Sequence, residues 1–156
     1  MAPLTVYTSV DVTARFVTGV AAGIVATLAM DLVMARLPEG TTPPSIAAGV
    51  LTDRPPEAAP ARLGSVVHYL AGFLTGPLFV WLLFASASVL GDDPTTATSA
   101  AAAVLYVLMV GFFAVVVLPQ SLVDRERVPA IRRDWAVSAA AYLVVLVAVV
   151  VLPGRL

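Results

Sequence analysis

The sequence predicts an all-α fold: a polytopic membrane protein built as a four-transmembrane-helix bundle, with a short interfacial helix in its first cytoplasmic loop. Three observations predict it. Of the 156 residues, 60% are hydrophobic and only 12% are charged, about half the roughly 25% charge of a soluble domain. Such a balance excludes an ordinary solvated surface, and it excludes disorder, which needs low hydrophobicity and high charge. The sparse charge is also unevenly placed and leaves four apolar runs of membrane-crossing length. Finally, these runs do not alternate apolar and polar residues as the strands of a transmembrane barrel do.

The spans follow from the charge map. A helix needs about 20 residues to cross roughly 30 Å of hydrocarbon. Between Arg15 and Arg36 lie 20 residues with one charge, Asp31; between Arg62 and Asp92 lie 29 uncharged residues; between Asp93 and Asp124 lie 30; and Trp135 to Leu152 supplies 18 more. The predicted spans are 15–36, 64–88, 97–119 and 135–153, within a single membrane domain covering 1–156. Leu37-Pro38, Leu118-Pro119 and Leu152-Pro153 act as stops, because proline cannot continue a helix without losing a hydrogen bond. Asp93-Pro94-Thr95 reads as a turn and helix start. The N-terminal stretch lacks the basic region and the small-residue cleavage site of a signal peptide, so the first apolar run is expected to be a permanent span.

Orientation follows from arginine, which supplies all nine basic residues. Arg36, Arg54 and Arg62 lie in the first loop (about 37–63), and Arg125, Arg127, Arg132 and Arg133 in the third (about 120–134). Only Arg15 and Arg155 lie in the tails. By the positive-inside rule the first and third loops are cytoplasmic, and both termini and the short acidic loop at Asp92-Asp93 lie outside a plasma membrane. Arg125, Arg127, Arg132 and Arg133 would anchor on anionic headgroups, each worth about 1 kcal/mol, or dock a partner. In the first loop, Gly40-Thr41-Thr42-Pro43-Pro44 reads as a stiff turn. Ser45 is then placed to cap a short helix over 46–51, which Asp53-Arg54-Pro55-Pro56 ends. Arginine without lysine, with much Ala, Val and Gly, points to a high-GC prokaryote of haloarchaeal or actinobacterial type.

The interior pattern is the most informative. Gly19, Gly23, Thr27 and Asp31 recur at four-residue steps, and so do His68, Gly72 and Gly76; such residues share one helical face. Small residues let helix backbones approach closely in lipid. The two helices are antiparallel, and pairing them at an index sum of 99 sets Asp31 against His68, Thr27 against Gly72 and Gly23 against Gly76. An ionisable group inside a span faces the interior and finds a partner. Asp31 therefore pairs with His68, or with an arginine such as Arg36 or Arg133. The pair suits a static buried contact, a proton or cation relay, or a ligand site. Gln120 and Ser121, with Arg133, could extend a polar cluster at the inner face. Pro77 should kink the second span. Trp81 lies too deep to be an interface anchor and should pack inside, whereas Trp135 fits the inner boundary. Tyr106 and Tyr142 should find hydrogen-bond partners within the bundle.

The rest of the sequence is restrictive. A net charge of −1 gives no basic field for nucleic acid. The absence of cysteine removes disulfides, Cys-ligated zinc, iron–sulfur clusters and thiol catalysis. A single histidine gives no bis-histidine haem ligation unless two chains share the haem. No zincin, phosphate-loop or nucleophile motif is present, and two strong polar candidates are too few to define a reaction.

The run Gly19-x-x-Ala22-Gly23-x-x-Ala26-Thr27-x-x-Met30, then Pro43-Pro44, then His68-x-x-x-Gly72-x-x-x-Gly76 resembles the small four-span membrane proteins of prokaryotes, including the YagU-like inner-membrane family. The resemblance covers the first half of the chain and implies a four-span fold without a mechanism. The expected role is a non-enzymatic structural or accessory subunit that self-associates or joins a larger membrane complex. Two alternatives stand beside it: a small proton-linked transporter or channel using Asp31 and His68, and a binding module for a lipophilic cofactor such as haem, quinone or carotenoid. The cofactor itself is left unknown.

Overall fold

The computed structural model describes residues 9–91 and 93–151, and the Leu152-Pro153 stop and Arg155 lie outside them. The described chain is all-α, its helices joined by short turns and loops, with no strand among the described residues. Helix α1 covers Ser9–Met34, α2 Thr42–Thr52, α3 Ala61–Leu90, α4 Pro94–Phe112 and α5 Val128–Val151. Four segments are long and apolar enough to cross a membrane: Val12–Met34, Ala61–Leu90, Pro94–Gln120 and Val128–Val151. At 1.5 Å rise per residue, each exceeds the thickness of the hydrocarbon. The chain is a multi-pass integral membrane protein, and its exposed apolar flanks, such as Val17, Leu28, Val107 and Val144, contact lipid.

Helix α1 packs on both α3 and α5, and α4 closes the ring against α3 and α5. The core between them is made by Ala22, Ala26 and Met30 of α1, Phe79 of α3, Leu105 of α4 and Leu146 of α5. A smaller cluster of Ile46, Phe113, Leu118 and Ile131 seats α2 over one end of the bundle. Buried Pro43, Ile46, Ala48 and Gly49 mark the face by which α2 holds that end.

Several boundaries differ from the sequence expectation: α1 begins at Ser9, and α3 and α4 begin at Ala61 and Pro94, each ahead of its predicted span. The short helix starts at Thr42, not after Ser45, and Thr41 occupies its cap position without a side-chain bond. Pro43 and Pro44 therefore belong to its first turn, where a missing N–H is no loss and φ is already helical. Helix α5 starts at Val128, seven residues before the predicted span, so Arg132, Arg133 and Asp134 are helical and not loop. Charge density marks where a helix leaves hydrocarbon, whereas the helix itself continues while its backbone bonds are available.

The end of the third span has its own geometry. After Phe112 the backbone widens into a π-turn over Phe113–Val117, with Leu118 N–H donating to the Phe113 carbonyl, and then tightens into a 3₁₀ turn over Leu118–Gln120. Pro119 cannot supply the next N–H in that series, and Arg132 Nη2 donates to the Ala114 carbonyl instead, at 3.3 Å.

Candidate intramembrane site

The α1–α3 seam is built on glycine. A Cβ on Gly23 would lie 2.7 Å from the Gly72 carbonyl oxygen and 3.3 Å from Gly76 Cα, and one on Gly76 would collide with the Gly19 carbonyl. Next along the seam, a Cβ on Gly72 would strike the Thr27 hydroxyl, which is turned back to donate to Gly23 O at 2.8 Å. At Gly19 the facing group is Val80. Gly19, Gly23 and Thr27 thus meet Val80, Gly76 and Gly72 in the antiparallel order set by a sum of 99.

One step further along the seam, His68 Nε2 lies 2.7 Å from Asp31 Oδ1. The Asp31 side chain is 30% exposed and that of His68 only 10%. The second carboxylate oxygen is not left open: Tyr69 Oη donates to Asp31 Oδ2 at 2.7 Å. The Tyr69 ring stands edge-on to the imidazole, with centroids 5.3 Å apart. Sequence reading missed Tyr69 because it followed one four-residue stripe. The available signal was the second carboxylate oxygen, which required a donor on the facing helix.

Other candidates are engaged elsewhere. Gln120 Nε2 donates to Val116 O and Ser121 Oγ to Leu118 O, both at 2.6 Å, so these two residues satisfy orphan carbonyls at the end of their own helix. Arg133 pairs with Asp134 at 2.8 Å, and Arg36 donates to the Leu32 carbonyl. No polar cluster of Gln120, Ser121 and Arg133 forms around Asp31 and His68. Helix α3 runs continuously through Pro77. Trp81 is 58% exposed and faces outward, contrary to the expected internal packing, because lipid accepts an indole flank as readily as a core does. Trp135 is partly buried: its indole N–H donates to Met109 O at 3.1 Å, and its ring sits 4.9 Å from that of Phe113. Tyr106 donates to Ala136 O at 3.3 Å and Tyr142 to Gly72 O at 2.8 Å.

A cavity of about 450 Å³ adjoins the pair. His68, Ala71 and Thr75 of α3 form one wall, Leu105 and Met109 of α4 another, and Tyr142 of α5 the back. Pro43, Pro44 and Ala47 of α2 cover one end, and Phe113 and Val117 of the π-turn border it. Leu78, Leu108 and Phe112 line the cavity and are also exposed on the outer flanks of α3 and α4, so the mouth opens sideways towards lipid. Its size and its lining, mostly apolar with a few convergent polar groups, are those of a small-molecule site. Its π-turn border is a geometry frequent at functional sites.

A second polar group, unforeseen in the sequence, latches the α2 end. Arg127 donates from Nε and Nη2 to the two oxygens of Glu39, both at 2.9 Å, and from Nη1 to Glu57. Thr42 donates to Glu39 at 2.6 Å. The Glu39 N–H donates to Asp134 Oδ2 at 2.8 Å, and Asp134 is fully buried. The Arg127 hydrogen bonds hold the Glu39 carboxyl below its ordinary value, against burial, with Thr42 assisting. The same guanidinium lowers Glu57, and the two glutamates hold Arg127 up. A bidentate Arg–carboxylate fork is geometrically specific, and here it ties the first loop to the third. Nothing in spacing links Glu39 to Arg127, which are far apart in the chain.

No protein-family model, curated protein or solved structure matches this chain. Among the described residues no group of three or more His, Cys, Asp or Glu side chains is placed to hold a metal ion. The imidazole nitrogen that commonly ligates haem iron, Nε2, is already bonded to Asp31.

Proposed function

We propose that this protein binds a lipophilic small molecule drawn sideways from the bilayer into the cleft between α3 and α4. One observation carries the reading: the 450 Å³ apolar cavity has His68 in its wall, and His68 is held by the intramembrane carboxylate Asp31. An ionisable pair inside a span is costly and marks function by default. In this reading the pair forms the polar end of the site and fixes the imidazole, and the apolar walls supply affinity. The test is direct. Protein purified in mild detergent is extracted with organic solvent and examined by mass spectrometry, and ligand-free protein is titrated with lipophilic probes. A co-purified lipophile, or saturable uptake that Ala71→Phe weakens, supports the reading. Absence of both sinks it.

A structural or accessory role is the second reading, favoured by the broad apolar outer faces at Val17, Leu32, Val107 and Val115, which a partner or a second copy could cover. It predicts a particle larger than the 16.2 kDa chain in native-membrane extracts. Under either reading the arginine-rich first and third loops face the cytoplasm. A reporter fused after Leu156 that reads as cytoplasmic would overturn this orientation.

A further inference from the structure

The cavity has the depth of one leaflet. Its wall runs from Val67 to Leu78 on α3 and from Leu105 to Val117 on the third span. At 1.5 Å rise per residue each stretch is about 16–18 Å long, close to half of the roughly 30 Å hydrocarbon core. Leu78 and Leu105 lie near the midpoints of the spans Ala61–Leu90 and Pro94–Gln120, so the slot begins near the middle of the bilayer. It ends beneath Pro43, Pro44 and Ala47 of α2. Spread over that length, 450 Å³ gives a mean cross-section of about 26 Å², about 5–6 Å across. A single hydrocarbon chain fits such a slot, since carbons pack about 4 Å apart; a fused-ring system or a macrocycle is wider.

The wall asks nothing polar of its occupant. Thr27 donates to Gly23 O, Thr75 to Ala71 O, Tyr142 to Gly72 O and Trp135 to Met109 O. His68 and Asp31 hold each other at 2.7 Å, whichever of them carries the proton. Among the described residues no buried side-chain nitrogen or oxygen lacks a partner, and no Arg, Asp or Glu lines the cavity. A phosphate headgroup or the carboxylates of a haem would find no counter-charge there, and burying a charge unpaired is costly.

We infer that the slot takes one acyl chain of a phospholipid from the leaflet on the α2 side, with the headgroup left outside in the interface. This rests on the ligand-binding reading above and names its ligand class. The chain enters between Leu78, Leu108 and Phe112, where the wall is continuous with the lipid-facing flanks of α3 and α4. It exchanges lipid neighbours for protein ones, so close packing and not hydrophobicity supplies the preference, and the slot selects by width.

The test uses the full chain with Trp81→Phe in phosphatidylcholine nanodiscs, so that Trp135 in the cavity wall is the remaining indole. Bromine quenches an indole on contact. The probes are a phosphatidylcholine dibrominated midway along one acyl chain and dibromocholestanol, a fused-ring sterol with the same bromine pair. Quenching that persists when Ala71→Phe fills the slot measures the surrounding lipid and is subtracted. The remainder should rise with mole fraction about tenfold more steeply for the chain than for the sterol, because a ring must overpack the slot. Equal slopes, or a steeper one for the sterol, overturn the chain inference and leave the ligand-binding reading standing. If neither probe quenches beyond the Ala71→Phe background, both fall. Should Ala71→Phe fail to fold, native mass spectrometry of the unmodified chain decides. One phospholipid retained per chain supports the inference, and a chain released bare or with a ring-bearing lipophile overturns it.

Discussion

Replacing Gly76 by alanine tests whether the α1–α3 seam holds the site together. The added methyl would overlap the Gly19 carbonyl and sit 3.0 Å from Gly23 N, with backbone atoms on both sides that cannot rotate away. The helices must therefore part by about an ångström, and a gap of that order forfeits a quarter to a half of each contact well it opens. Overpacking of this kind costs roughly 1–3 kcal/mol, and the better helix propensity of alanine returns up to about 1 kcal/mol. The expected net loss is about 1–2 kcal/mol. Gly111→Ala is the control: its Cβ would meet nothing within 4 Å, so only the propensity gain applies. Both variants, unfolded by denaturant in detergent and followed by circular dichroism, should shift in opposite directions. Equal midpoints for Gly76→Ala and Gly111→Ala would refute the close-packed seam. Because Asp31 and His68 extend the same register, Gly76→Ala should also weaken any probe binding in the cavity.

Further outcomes follow from the polar groups. Glu39 and Glu57 are held below the ordinary carboxyl value of 4.5 by Arg127, so their contribution to stability is present above that pH and lost as pH falls through their depressed folded values. The Tm difference between wild type and Arg127→Ala should therefore be largest at neutral pH and shrink in acid; a pH-independent difference would contradict the latch. Asp134→Ala leaves the Glu39 N–H without its buried acceptor and should cost about 1–3 kcal/mol in the same denaturation assay. Tyr142→Phe removes one hydroxyl from Gly72 O, whose helical bond remains, and should cost only about 0.5–1.5 kcal/mol. A loss as large as that for Asp134→Ala would mean that Tyr142 carries more than this bond.

Much of this molecule was legible from the residues alone, and the reasons are local. Lipid admits no unpaired backbone and few charges, so four uncharged runs had to become four helices. Glycine at four-residue steps on two consecutive helices left few registers that avoid collision, and the pairing at Asp31 and His68 follows from that geometry and from matched depth. What the sequence could not determine is what arises between elements distant in the chain. The Glu39–Arg127–Glu57 latch depends on how α2 folds back over the start of α5. The outward turn of Trp81 depends on which flank of α3 the ring of helices leaves to lipid. The cavity depends on α3 and α4 standing apart beside a π-turn that Pro119 cannot extend. A void is defined by the side chains that fail to meet across it. No spacing along one helix encodes that, so it belongs to the tertiary structure.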